Sequence, residues 1–138
     1  MPNTQQFVNF ELTLSIAALL GHIFPVFAGF RGGKGVATLL GILVAVHPQA
    51  AGVCSLLFVS CLFITGYVSL SSMLAGFAFP VVIMFLFHEN IPGMNIFALF
   101  VCILVLMTHQ KNIERLLRGE EGKVNFLRKH KKREIEKV

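Results

Sequence analysis

The 138 residues include no aspartate, no tryptophan and a single tyrosine, and from Gly35 to His88 there is no Asp, Glu, Lys or Arg. The missing aspartate excludes a Ser-His-Asp triad, a His-x-x-x-x-Asp catalytic pair and an Asp-held magnesium ion. Any chemistry must therefore use His, Lys, Arg, Glu, Ser and backbone amides. Cysteine is scarce as well. Cys54, Cys61 and Cys102 lie in apolar runs without Cys-x-x-Cys spacing, so they read as reduced packing residues rather than a disulfide framework or thiolate metal site. His88 and Glu89 are adjacent but isolated, and no metal or organic cofactor is expected. Residues 1–6 are polar and lack the positive n-region and small-residue cleavage site of a signal peptide, so they read as an exposed end.

Hydrophobic residues make up 55% of the chain, and the mean hydropathy is +0.74. That balance points to a membrane protein. The uncharged stretch is long enough for more than one span of about 20 residues. Breaks at His47-Pro48 and at Gly66 to Ser72 divide it. The expected spans are Phe7–Leu20, Gln49–Gly66, Met73–Phe87 with a kink at Pro80, and Asn95–Thr108; Val36–Val46 is a short helix between the first two. The expected fold is all-α: a polytopic transmembrane bundle of about five hydrophobic segments. Residues 1–122 form the membrane-embedded domain and residues 123–138 a basic tail. The net charge of +5 arises mostly after His109. Beside apolar spans, it implies positive-inside bias and attraction to anionic membrane lipid; no nucleic-acid motif accompanies it.

Residues 21–38 carry the strongest local signal. Gly32, Gly33 and Gly35 let the backbone take positive φ and turn N–H groups toward a ligand. The helix expected from Val36 aims the partial positive charge of its N-terminus at the same point, and Arg31 and Lys34 add full charges. A phosphate suits this turn. It is not a nucleotide-binding P-loop, because Ala28 and Gly35 stand where that pattern requires Gly and Ser or Thr. The bland alternative is a cytoplasmic connection whose glycines turn and whose charges hold orientation.

If Arg31 and Lys34 mark a cytoplasmic turn, and the basic tail from Lys111 is cytoplasmic too, an even number of crossings separates them. Four segments lie between. The same count puts Tyr67 to Ser72 on the face of the glycine turn, and His47 and His88 on the opposite one. His47, next to Pro48, reads as a loop residue with no nameable partner. Beyond the last span, His109, Asn112 and Arg115 follow at three-residue steps, so an imidazole, an amide and a cation project from one side of a helix that Gly119 ends. An interfacial amphipathic segment with snorkelling cations is the alternative there.

The pattern Gly-His-x-Phe-Pro-x-Phe-x-x-Phe-Arg-Gly-Gly-Lys-Gly-Val-Ala-Thr over residues 21–38 resembles the second motif of the bacterial acyl-phosphate-dependent glycerol-3-phosphate acyltransferases, the PlsY family. His-x-x-Asn-Ile-x-Arg-Leu-x-x-Gly-x-Glu from His109 resembles the third, and Tyr67-x-Ser69-Leu-x-Ser72 looks like the family's serine turn. The resemblance implies transfer of an acyl group from acyl phosphate to glycerol 3-phosphate, giving lysophosphatidate and phosphate in the first step of phospholipid synthesis. It implies that Arg31, Gly32, Gly33, Lys34 and Gly35 bind the acceptor's phosphate, that His109 and Asn112 serve activity, and that Glu121 supports local structure. Ser69 would then help orient substrate and Arg115 neutralise the donor phosphate. A multi-pass protein of the bacterial inner membrane is implied, with a cytoplasmic active face and C-terminus, supplied by an enzyme that makes acyl phosphate. The resemblance covers Phe7 to Glu121. Family members begin earlier, with two further spans and a first motif like Ser-Gly-Asn-x-Gly-x-Thr-Asn and a following Arg, to which nothing here corresponds. A non-catalytic membrane remnant or interaction protein of the same family is therefore the rival expectation, and a small transporter a weaker one, since no intramembrane ionisable pair marks a pathway.

Overall fold

The structure is a computed structural model that describes residues 4–29 and 32–124. Helix α1 runs Thr4–Ile23 and stops before Pro25, with one 3-10 turn at Val26–Ala28 and Gly29 in the left-handed region beyond it. Helix α2 covers Val36–Val46, as expected, and is only about 16 Å long at about 1.5 Å per residue. A single residue, His47, joins it to α3, Pro48–Thr65. Pro48 is tolerated in the first turn because its missing N–H would have had no intrahelical partner. The Nδ1 atom of His47 accepts the Ala50 N–H at 3.2 Å and the ring stacks at 4.8 Å from Phe87, so this histidine caps a helix, a partner the sequence had not shown.

Gly66, at φ 75°, ends α3 in a left-handed cap. Tyr67 alone is extended before α4, Val68–Val81. The hydroxyl-rich stretch expected as a turn is therefore the start of a helix. Ser71 and Ser72 donate to the carbonyls of Tyr67 and Val68, four residues back, at 2.8 and 2.9 Å. Pro80 was expected to kink this span; instead the irregularity falls after it, as a π-helical segment at Val82–Leu86 that closes with Phe87 N–H on the Val82 carbonyl. Helix α5 spans Pro92–Thr108 and α6 Gln110–Leu117, with a 58° bend between them at His109.

Among the described residues, three helices are long and apolar enough to cross a membrane, or four if the bent α5–α6 pair is one span; α2 is shorter. Among the described residues all regular structure is helical. Helix α4 lies between α3 and α5, and α1 packs on α2 and α5. The centre is apolar: Phe79 and Phe97 meet edge to face at 6.3 Å, with Ile83, Ala98 and Val101 sealed around them. Gly76 brings α4 against α5, since a Cβ there would come within 2.9 Å of the Val105 side chain. Phe7, Phe10, Leu56, Phe77, Phe85 and Ile103 face outward, as suits a lipid-facing surface.

Candidate active site

The glycine turn lies flat on the last turn of α1. A Cβ on Gly32 would collide with the carbonyl oxygens of His22 and Ile23, and one on Gly33 would sit 2.8 Å from Nε2 of His22. Gly35 adopts φ 75° as the N-cap of α2, and its Cβ would press on Leu19. Close approach to α1 thus requires glycine at 32 and 33, and backbone conformation requires it at 35. The first N–H groups of α2 have no intrahelical acceptors, so the helix start beside Lys34 is electropositive. Arg31 lies outside the described residues.

His109 sits at the α5–α6 bend and is only 1% exposed. Its Nδ1–H donates to the Val105 carbonyl at 2.8 Å, with the Thr108 hydroxyl 3.3 Å away. That bond leaves Nε2 as the proton acceptor of the neutral ring. Burial, chiefly, holds the His109 pKa below the ordinary histidine value, and nearby Lys34 acts the same way; the Val105 carbonyl and Glu121 oppose them in part. The imidazole is thereby kept neutral, as a base requires.

Glu121 ties three elements together. One carboxylate oxygen accepts the Ser69 hydroxyl of α4 at 2.5 Å and the Asn112 amide of α6 at 2.7 Å, while the other lies 3.4 Å from Nε of Arg115. Hydrogen bonds from Ser69 and then Asn112 hold its pKa below the usual carboxylate range, helped by Arg115 and Lys34 and opposed by burial. Its side chain is 10% exposed. Beyond it the chain returns to the α3–α4 joint: Val124 N–H donates to the Gly66 carbonyl at 2.8 Å and the Lys123 ammonium stands 5.0 Å above the Tyr67 ring. Lys123 and Val124, expected to begin a solvated tail, are docked; residues 125–138 lie outside the described residues.

Lys34, Val36, Phe58, Val68, Ser69, Ser72, His109, Asn112 and Glu121 line one pocket of about 210 Å³. Residues far apart in sequence meet there, so glycine turn, serine cluster and post-span motif share one end of the bundle. His47 and Phe87 pair at the joints of the other end. Arg115 does not line this pocket; it is 52% exposed on the outer side of Glu121. Val36, Phe58 and Ser72 also line a second cavity of about 300 Å³, enclosed by apolar residues of α2 to α5 such as Leu39, Leu43, Cys54, Phe79 and Val101. Sequence reasoning missed this cavity and Phe58, because a Phe in an apolar run carries no sign of which neighbour it faces. Among the described residues, no three His, Cys, Asp or Glu side chains gather as a metal site would require.

Fold and site define a polytopic helical membrane protein in which a pocket lined by Lys34, His109 and Glu121 adjoins an apolar cavity between the helices. Residues 3–119 match the family model described as glycerol-3-phosphate acyltransferase, and the chain belongs to that family. It is 35% identical over 142 residues to the glycerol-3-phosphate acyltransferase of Chlorobium phaeobacteroides, covering 86% of this chain and 60% of that one. It is 43% identical over 113 residues to the enzyme of the same name from Neisseria meningitidis, with 80% and 54% covered. Among solved structures, it resembles the integral membrane glycerol 3-phosphate acyltransferase PlsY (YgiH) in its glycerol 3-phosphate form, with a TM-score of 0.74 and 38% identity over 82% of this chain and 56% of that one. The lysophosphatidic acid form matches with the same TM-score at 39% identity. The chain spans about 60% of the length of the Chlorobium relative.

Proposed function

We propose that this protein transfers an acyl group from acyl phosphate to glycerol 3-phosphate, giving lysophosphatidate and phosphate. The observation that carries the reading is the single pocket in which Lys34, His109, Ser69 and Asn112 converge, sharing Val36, Phe58 and Ser72 with an adjoining apolar cavity. Relatives that share the fold bear that acceptor in their names, and one solved relative is described with it. Lys34 and the start of α2, with Arg31, bind the acceptor's phosphate. Nε2 of His109 takes the proton as the acceptor hydroxyl oxygen attacks the acyl carbonyl carbon. The bond from that carbon to the phosphate oxygen then breaks, and the proton leaves with the phosphate. Phosphate is already a good leaving group, so placement and charge stabilisation suffice without a covalent enzyme intermediate. Ser69 and Asn112, fixed by Glu121, orient the substrates, and Arg115 offers a cation at the rim for the donor phosphate.

On this reading the site and the basic tail share the cytoplasmic face of an inner membrane, an orientation supported by Arg31, Lys34 and the basic residues from Lys111 under the positive-inside rule. Acyl phosphate would come from a separate acyl-phosphate-forming enzyme. The test is acyl transfer by the purified polypeptide in detergent, with acyl phosphate and labelled glycerol 3-phosphate. Lysophosphatidate is the expected product, and Lys34→Ala should raise the acceptor KM far more than it lowers kcat. An unchanged acceptor KM would remove Lys34 from the phosphate site, and no product from the wild type would favour the non-catalytic reading.

A further inference from the structure

The glycine turn is bracketed by two side chains that the proposed reaction does not use. His22, in the last turn of α1, and Thr38, in the first turn of α2, lie on either side of residues 32–35, and their Nδ1 and Oγ1 atoms are 3.0 Å apart. The bond joins residues sixteen apart and closes the turn into a ring of chain. The imidazole also props the turn from beneath, since its Nε2 edge occupies the space a Gly33 side chain would need. Thr38 behaves unlike most helical hydroxyls of the chain. Thr13, Ser15, Thr65, Ser71 and Ser72 each donate to the carbonyl four residues back. For Thr38, third residue of α2, that carbonyl belongs to Lys34, before the Gly35 N-cap and outside the helix, and the hydroxyl bonds His22 instead. Ser69, which also reaches across to another element, does so inside the pocket. A side-chain bond between the last turn of α1 and the first turn of α2 restrains the distance between the two ends of the glycine turn.

We propose that His22 and Thr38 form a latch that keeps the Gly32–Gly35 turn in its anion-binding shape, which makes both of them positioning residues for the acceptor. This inference rests on the reading of the turn as a phosphate site. The bond pairs the Thr38 hydroxyl with Nδ1 of His22, and either tautomer of the ring can make it. The latch does not touch the reacting atoms. Its loss therefore lets the turn sample other shapes and weakens acceptor binding, while turnover at saturation is retained.

The test uses the whole chain in detergent micelles, with glycerol 3-phosphate binding followed by calorimetry and the His22 ring nitrogens by ¹⁵N NMR. Thr38→Val keeps the shape and removes the hydroxyl, and Thr38→Ser keeps the hydroxyl. Thr38→Val and His22→Ala should each weaken binding roughly three- to tenfold, as loss of one neutral hydrogen bond does. Thr38→Ser should bind like the wild type, and the double variant should bind no worse than either single one. The Nδ1 resonance of His22 should move in Thr38→Val and stay put in Lys34→Ala. Wild-type binding by Thr38→Val, or strictly additive losses in the double variant, overturns the latch while leaving the phosphate site intact. Undiminished binding by Lys34→Ala overturns the phosphate site and with it the latch's role, even if the Nδ1 resonance still answers to Thr38→Val.

Discussion

His109 illustrates how one residue acquires a function from its surroundings. Its position at the bend ends the helical N–H ladder of α5, and the Val105 carbonyl takes Nδ1–H, so the ring faces the pocket with its lone pair. Burial and Lys34 lower its pKa. A base works above its pKa, so the acidic limb of kcat/KM should fall below about 6.5, the ordinary histidine value. Replacing Lys34 by Met removes a charge that disfavours the imidazolium, so the His109 titration, read by NMR, should move up. A downward move would mean that Lys34 does not face the ring. His109→Gln should lower kcat by about 10²- to 10⁴-fold. That His109 and Asn112 share one side of the post-span segment was legible from their spacing, and both line the same pocket. The pairing of Arg115 with Glu121 was not, because it depends on how the chain turns at Gly119 after α6.

At the scale of elements, α2 and its glycine turn were legible because Gly35 and Pro48 delimit the helix sharply and the residues between are apolar. The reason for the glycines was only half legible. Positive φ was expected at Gly32, Gly33 and Gly35 but occurs only at Gly35; Gly32 is needed instead because its Cβ would collide with α1 carbonyls, which depends on how α1 and the turn pack. Gly32→Ala should force the turn off α1 and weaken acceptor binding on the order of tenfold, whereas Gly41→Ala, with no neighbour within 4 Å, should leave it unchanged. Equal acceptor KM values for the two variants would contradict the packing argument. The start of α4 was misread as a turn because Ser is a poor helix former on its own. Ser71 and Ser72 satisfy their hydroxyls on the helix's own carbonyls, and Ser69 finds Glu121, fifty-two residues away. Likewise the kink expected at Pro80 gave the wrong place: Pro80 lies inside α4, and the irregularity is the π-helical segment that follows at Val82–Leu86.

Across the whole molecule, Glu121 closes the structure by tying the post-span segment to α4. Its folded pKa is depressed, so its stabilising contribution is complete above the unfolded carboxylate value of about 4.3 and is lost as pH falls through the folded value. Glu121→Gln should therefore lower the melting temperature at neutral pH, and the gap should narrow as pH drops below about 4.3. A gap independent of pH would assign the loss to packing instead. The adjoining cavities were invisible in the sequence, since the apolar one arises only where four helices face one another.

The unequal hairpin of α2 and α3 has a geometric consequence. Both helices start from His47, but α2 rises about 16 Å and α3 about 27 Å. Val36 and Phe58, each eleven residues from that joint, line the same pocket, so the glycine turn stands about 10 Å below the end of α3. The proposed anion site is thus a well sunk beneath the rim of the bundle. On the proposed function, a water-soluble acceptor descends to meet a chain that never leaves the leaflet, and the product is already at membrane depth when it forms.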